Sequence, residues 1–149
     1  MGYTHYFPQN RAATKEEWTR IRTDFQKMYA AALLLNRPGF QIRYEYDAPK
    51  KVPVINDKMI RFNGVGDDGH ETMMLDREHD PDFRFCKTAR KDYDEAVLVL
   101  LTLAEHHAPG AWKISSDGEE FEWQPAVDWM NTLGMGDFEV PPGVRQFEE

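Results

Sequence analysis

Lys87, Arg90 and Lys91 fall within five residues of one another, with the hydroxyl-bearing Thr88 and Tyr93 interleaved and adjacent. Arginine forks onto a phosphate, lysine brings a mobile charge and hydroxyls add hydrogen bonds, so the set has the chemistry of an anion site. It leads into Ala96, Val97, Leu98, Val99, Leu100, Leu101, Leu103 and Ala104. Those apolar positions cover nearly the whole circumference of a helix and predict a buried one, beginning between Thr88 and Asp92. The free N–H groups and partial positive charge of a helix start attract an anion and repel the three cations, so a phosphate or carboxylate pocket is expected. Asp92, Asp94 and Glu95 follow at once, which leaves ordinary surface pairing as the competing account, and the glycine pattern of a P-loop is missing.

His5 lies among Tyr3, Tyr6 and Phe7. An imidazole is costly to bury there without a partner, so it is either a satisfied core histidine or part of an aromatic cleft that stacks on a base. Ser115 and Ser116, followed by the turn formers Asp117 and Gly118, end a strand and could border the same cleft, with Trp123 closing it. Asp67, Asp68, His70, Glu71, His79, Asp80 and Asp82 are metal-ligand types, but their spacing matches neither the zinc nor the calcium signatures. An acidic hairpin turn is the better account, and no metal or other cofactor is expected. Cys86 beside Lys87 would favour a thiolate, yet no base can be assigned to it, and lone cysteines are commonly buried small hydrophobes. No catalytic residue is assigned. His106 and His107 suit the C-terminal cap of the buried helix.

The elements that must position these groups follow from periodicity. Residues 3–7 read as an opening strand ended by Pro8. Thr14 and Glu17 form a capping-box pattern, and Trp18, Ile21, Phe25, Met28, Tyr29 and Ala32 share one helical face, with Asn36, Pro38 and Gly39 ending that helix. Phe40 to Tyr46 alternates as a strand, residues 47–57 read as a loop, and residues 58–63 and 70–75 read as a hairpin around a turn rich in glycine and aspartate. Residues 83–86 form a short lead-in to the buried helix, Ala111 to Ser116 a last strand with Trp112 and Ile114 inward, and Pro125 to Leu133 a third helix capped by Gly134. This order predicts an α+β fold, a variant of the ferredoxin-like sandwich with a mainly antiparallel sheet, two main helices on one face and an added hairpin strand. The opposite face would carry Arg43, Arg61, Asn63, Lys113 and Ser115, and His5 if its strand is so phased. Residues 1–134 are expected to form a single domain and residues 135–149 an extended tail.

Composition narrows the classes. At 149 residues, 41% hydrophobic and 13% aromatic, the chain has material for one core. A formal charge of −8 opposes non-specific binding to nucleic acid or to anionic membranes, while leaving room for a local basic pocket. One cysteine excludes an intramolecular disulfide and fits a reducing compartment. The apolar run near residues 96–101 is too short to span a bilayer and the first ten residues do not read as a signal peptide, so a soluble protein is expected.

Met1-Gly-Tyr-Thr-His-Tyr, Ile60-Arg-Phe-Asn-Gly, Gly69-His-Glu-Thr, Phe85-Cys-Lys-Thr-Ala-Arg-Lys and Ser115-Ser-Asp-Gly carry a resemblance. The chain resembles, over most of residues 1–134, a group of small and mostly uncharacterised proteins of tailed bacteriophages and prophages; Asp92 departs from the proline expected there. The resemblance implies a viral protein in the host bacterial cytoplasm and transfers no activity. In that setting three readings stay open. The first is a homo-oligomeric sponge for a nucleotide-like immune signal, with Lys87, Arg90 and Arg61 on phosphate and Tyr3, His5 or Trp123 stacked on a base. The second is a phosphoesterase or nucleotide-modifying enzyme using His5 or His70 as general acid or base. The third is an inhibitor that binds a host protein through an acidic surface.

Overall fold

Thr14 opens the first long helix by accepting the Glu17 N–H at 3.1 Å, and the Glu17 carboxylate returns to the Thr14 N–H at 2.8 Å. This is α1, Lys15–Leu34, and it buries Trp18, Ile21, Phe25, Met28 and Ala32 as their spacing predicts. The computed structural model describes residues 3–44, 52–78, 82 and 84–145. The strands are β1 (Thr4–Tyr6), β2 (Ile42–Arg43), β3 (Val54–Ile55), β4 (Met59–Gly64), β5 (Met73–Asp76), β6 (Phe85–Lys87) and β7 (Ser115–Ser116). The other two α-helices are α2 (Asp94–His107) and α3 (Glu120–Thr132). Among the described residues no helix is long and apolar enough to cross a membrane.

The fold is α+β, and every strand pairing among the described residues is antiparallel. The strands do not form one continuous ferredoxin-like sheet, however. β1 is the centre of a three-stranded sheet between β6 and β7, while β4 is the centre of a second sheet. β3 and β5 both pair with Ile60 and Arg61, so they flank β4 on opposite edges, and β2 pairs with its far end. At the seam, the Glu71 N–H donates to the Lys87 carbonyl at 3.2 Å, but the Lys87 N–H is taken at 2.6 Å by the Glu71 carboxylate. A side chain thus replaces the next ladder bond and stops the two sheets from merging.

Several boundaries differ from those the sequence predicts. Phe40 is buried in a 3-10 turn (Pro38–Phe40), so the expected strand from Phe40 shortens to β2, and its residues 45 and 46 lie outside the described residues. β3 arises inside the expected loop, whose residues 47–51 are likewise outside the described residues. α3 begins at Glu120 instead of Pro125, because Glu119 and Glu122 form a capping box. Pro125 then sits within the helix, where it lacks the N–H that would bond the Phe121 carbonyl. Phe138, Val140 and Val144 of the expected tail join the core, and the Asn131 amide clamps Phe138 by donating to its carbonyl at 3.0 Å and accepting its N–H at 2.7 Å. Residues 146–149 of that tail lie outside the described residues.

α2 packs against both α1 and α3, and Ala96 through Ala104 are buried without interruption. A helix covered on two sides needs apolar residues all round, which explains its composition. Its start differs from the expected range. Thr88 and Ala89 both donate their N–H to the Tyr3 carbonyl, extending the β1–β6 pairing, and Ala89 and Arg90 have φ of 54° and 58°. Left-handed residues cannot sit in an α-helix, so the chain turns first and α2 starts at Asp94. Asp94 and Glu95 occupy its first turn and His106 and His107 its last, the arrangement a helix dipole favours.

Candidate functional site

The cations therefore do not crowd a helix terminus; the left-handed turn points Arg90 elsewhere. Its guanidinium carbon stands 4.1 Å from the centre of the Tyr3 ring, and one of its nitrogens meets the Glu122 carboxylate at 3.0 Å. Stacked on one aromatic and paired with α3, Arg90 is held in place while its side chain keeps 60% of its exposure. Two positive φ values in succession on residues other than glycine are costly, and the bonds from Thr88 and Ala89 to Tyr3 hold them.

Beneath Arg90 runs a buried polar chain. His5 is fully buried, with Nε2 2.6 Å from Asp94 Oδ1 and Nδ1 2.7 Å from Ser116 Oγ. The carboxylate can only accept, so Nε2 is the donor, and that tautomer leaves Nδ1 to accept the Ser116 hydroxyl. Ser116 Oγ in turn accepts the Gly118 N–H at 2.8 Å, and the Thr88 hydroxyl donates to Asp94 Oδ1 at 2.6 Å. Tyr3 and Trp123 pack edge-on against His5, with ring centres 5.0 and 5.3 Å away. Burial, and then the negative charges of Asp94 and Glu122, push the Tyr3 phenol well above the ordinary tyrosine range, so it stays a hydrogen-bond donor. Gly118 admits that phenol: a Cβ there would lie 2.2 Å from its oxygen.

Asp94 Oδ1 is fully used, whereas Oδ2 has no partner among the described residues, and the side chain keeps 16% of its exposure. It opens onto a cleft of ≈ 440 Å³ between the 88–94 turn, α2 and α3. Tyr3, Arg90, Lys91, Phe121 and Glu122 also line the cleft. Glu95 at its edge is committed to Arg37 through two bonds of 2.7 and 2.9 Å. The cleft therefore offers the free Asp94 oxygen, the Asp92 carboxylate, an exposed aromatic ring and two neighbouring cations, of which Arg90 is paired with Glu122, a set that can meet hydrogen-bond donors and a phosphate on one ligand. No protein-family model matches the sequence, and no curated protein or solved structure matches it either.

Of the residues singled out in the sequence, Tyr3, Arg90 and Lys91 line this cleft, and His5, Thr88, Ser116 and Trp123 support it from beneath. Tyr93 is spent on the fold: it is buried and donates to the Glu71 carbonyl at 2.5 Å. Lys87 lies in β6, Ser115 in β7 opposite Tyr6, and Arg61 in β4 beside Asp76 at 3.5 Å, all outside the cleft lining. Asn63, expected on an open polar face, is buried and bonded on both ends of its amide. His5 is buried too, so that face does not gather its residues into one surface. Burial raises the Cys86 thiol to about 12, which removes the thiolate a nucleophile requires. His79 and Asp80 lie outside the described residues, and among those described no group of three or more His, Cys, Asp or Glu side chains could hold a metal ion.

Asp94 and Phe121 are the site residues that sequence reasoning passed over. Asp94 reads as a neutralising neighbour of the cations, and nothing in spacing links it to His5, 89 positions away. Phe121 carried a weak signal, being a large aromatic next to acidic residues; it keeps 69% of its exposure.

Proposed function

We propose that this protein binds a nucleotide-like, phosphate-bearing small molecule in the cleft between α2 and α3 and holds it without converting it. The observation that carries this reading is the convergence of Arg90, Lys91, Phe121 and the free Asp94 oxygen on one cleft of ≈ 440 Å³. A base or ribose supplies donors to the carboxylate, an aromatic face suits a base, and the cations suit phosphate. The resemblance to bacteriophage proteins supports a setting in the host cytoplasm, where such capture would counter a nucleotide immune signal; a homo-oligomer belongs to the same reading. The test is a panel of cyclic and linear nucleotides read by thermal shift, followed by denaturation and mass spectrometry of the released ligand. Stabilisation with intact ligand returned, lost in Lys91→Ala, supports capture. No shift across the panel overturns it.

The Asp94–His5–Ser116 chain favours a second reading, a phosphoesterase or nucleotide-modifying enzyme. Its imidazole is buried, so Asp94 is the group that would meet the substrate, with His5 behind it. A chemically changed ligand in the same mass spectrum selects that reading.

A further inference from the structure

Lys91 lines a second concavity as well. This one has ≈ 430 Å³ and is lined by Gly66, Asp67, Gly69, His70 and Lys91. Two spaces of nearly equal size thus meet at one lysine, and each falls in the range of about 300–1,000 Å³ usual for small-molecule sites. Among the described residues Lys91 forms no ion pair, so its ammonium is uncommitted, and its neighbour Arg90 is already fixed on Tyr3.

The chemistry on either side of that junction is similar. The first space carries the exposed Phe121 ring and the free Asp94 oxygen; the second carries the exposed His70 ring and Asp67. Read across both, the order is aromatic and acid, then cation, then aromatic and acid. A ligand with phosphate between two nucleosides matches that order: its phosphate meets the cations and a nucleoside enters each space.

We infer that the ligand is a dinucleotide, two nucleosides joined through phosphate, which lies across both spaces with its phosphate on Lys91 and Arg90. One base stacks on Phe121 while the Asp94 oxygen accepts from its sugar or exocyclic amine; the other meets His70 and Asp67. The inference rests on the nucleotide reading above. Cyclic and linear dinucleotides share this chemistry.

The experiment titrates the full chain by calorimetry with AMP, GMP, the cyclic di-AMP and di-GMP, and the linear diadenosine and diguanosine diphosphates. At least one dinucleotide binds about tenfold or more tightly than its matching mononucleotide, since one ligand then engages two spaces. Whether the cyclic or the linear form gains identifies the source. His70→Ala keeps the backbone bonds of residue 70 and brings the dinucleotide down to mononucleotide affinity; Lys91→Ala weakens both. Unchanged melting of each variant shows that the fold is retained, and Asp67→Asn gives a second, independent removal in the outer space. Equal affinity for mono- and dinucleotides, or a dinucleotide indifferent to both His70→Ala and Asp67→Asn, overturns the two-space inference and leaves the nucleotide reading standing. Silence from every nucleotide overturns both.

Discussion

Asn63, near the end of β4, and Asp94, the first residue of α2, are both polar side chains drawn inward, and they finish their hydrogen bonding differently. The Asn63 amide donates to the His70 carbonyl at 2.9 Å and Thr72 Oγ1 at 3.2 Å, and its oxygen accepts the N–H of Gly64 at 2.8 Å and of His70 at 3.0 Å. Its capacity is exhausted, and it serves to close the 64–70 turn. Asp94 takes His5 and Thr88 on one oxygen and leaves the other toward a cleft. A closed network holds a fold; a network with one acceptor left over, beside cations and an aromatic ring, also holds a site.

The comparison breaks most sharply at Asp94. Asp94→Ala strands the buried His5 Nε2–H and the Thr88 hydroxyl, and should cost about 3 kcal/mol or more in urea unfolding together with the loss of ligand binding. A loss below about 1 kcal/mol would mean that the network relaxes onto water and is not a supporting frame. Asn63→Ala leaves the N–H groups of Gly64 and His70 unpartnered, for about 2–3 kcal/mol, with mononucleotide affinity in the α2–α3 cleft unchanged. If that variant binds mononucleotide more weakly at full folding, the two regions are not separable.

Ala89→Gly moves the other way. It relieves a left-handed alanine worth about 1–2 kcal/mol and gives back part of that in unfolded-state entropy, so stability rises by about 0.5–1 kcal/mol. Mononucleotide affinity falls in the same variant if the turn pre-positions Arg90, and an unchanged affinity would separate strain from function. The smallest effect lies far from both regions. Arg11 holds the Glu17 carboxyl down at about 2, through hydrogen bonds of 2.8 and 3.1 Å. A depressed carboxyl stabilises above its unfolded value of 4.5 and loses that contribution as the pH falls toward 2. Because Arg11 is exposed and the pair is screened, Glu17→Gln should cost only about 0.5 kcal/mol at pH 7, with the gap to the parent closing between pH 4.5 and 2.

Local signals were legible. The Thr14 and Glu17 box, the spacing of the α1 core residues and the hairpin turn each depend on residues close in sequence, and each appears, with the second strand of the hairpin starting at Met73 instead of His70. The start of α3 was legible in part, since Glu119 and Glu122 have capping-box spacing with an acid in place of the usual hydroxyl. The start of α2 was not. It depends on Ala89 and Arg90 adopting left-handed conformations that only the Tyr3 carbonyl, some 85 positions away in the chain, makes affordable.

By itself the sequence determined the α+β class, the two main helices with their buried faces and the presence of a basic cluster next to Thr88. These rest on periodicity, capping and charge, which neighbours along the chain decide. Only the tertiary structure decided which members of that cluster share a cleft, that His5 is a buried link between Ser116 and Asp94, and that Asn63 and Tyr93 are spent on the fold. The reason is physical: a polar group's availability depends on what packs against it, and here the partners lie on strands and helices whose meeting no local pattern encodes.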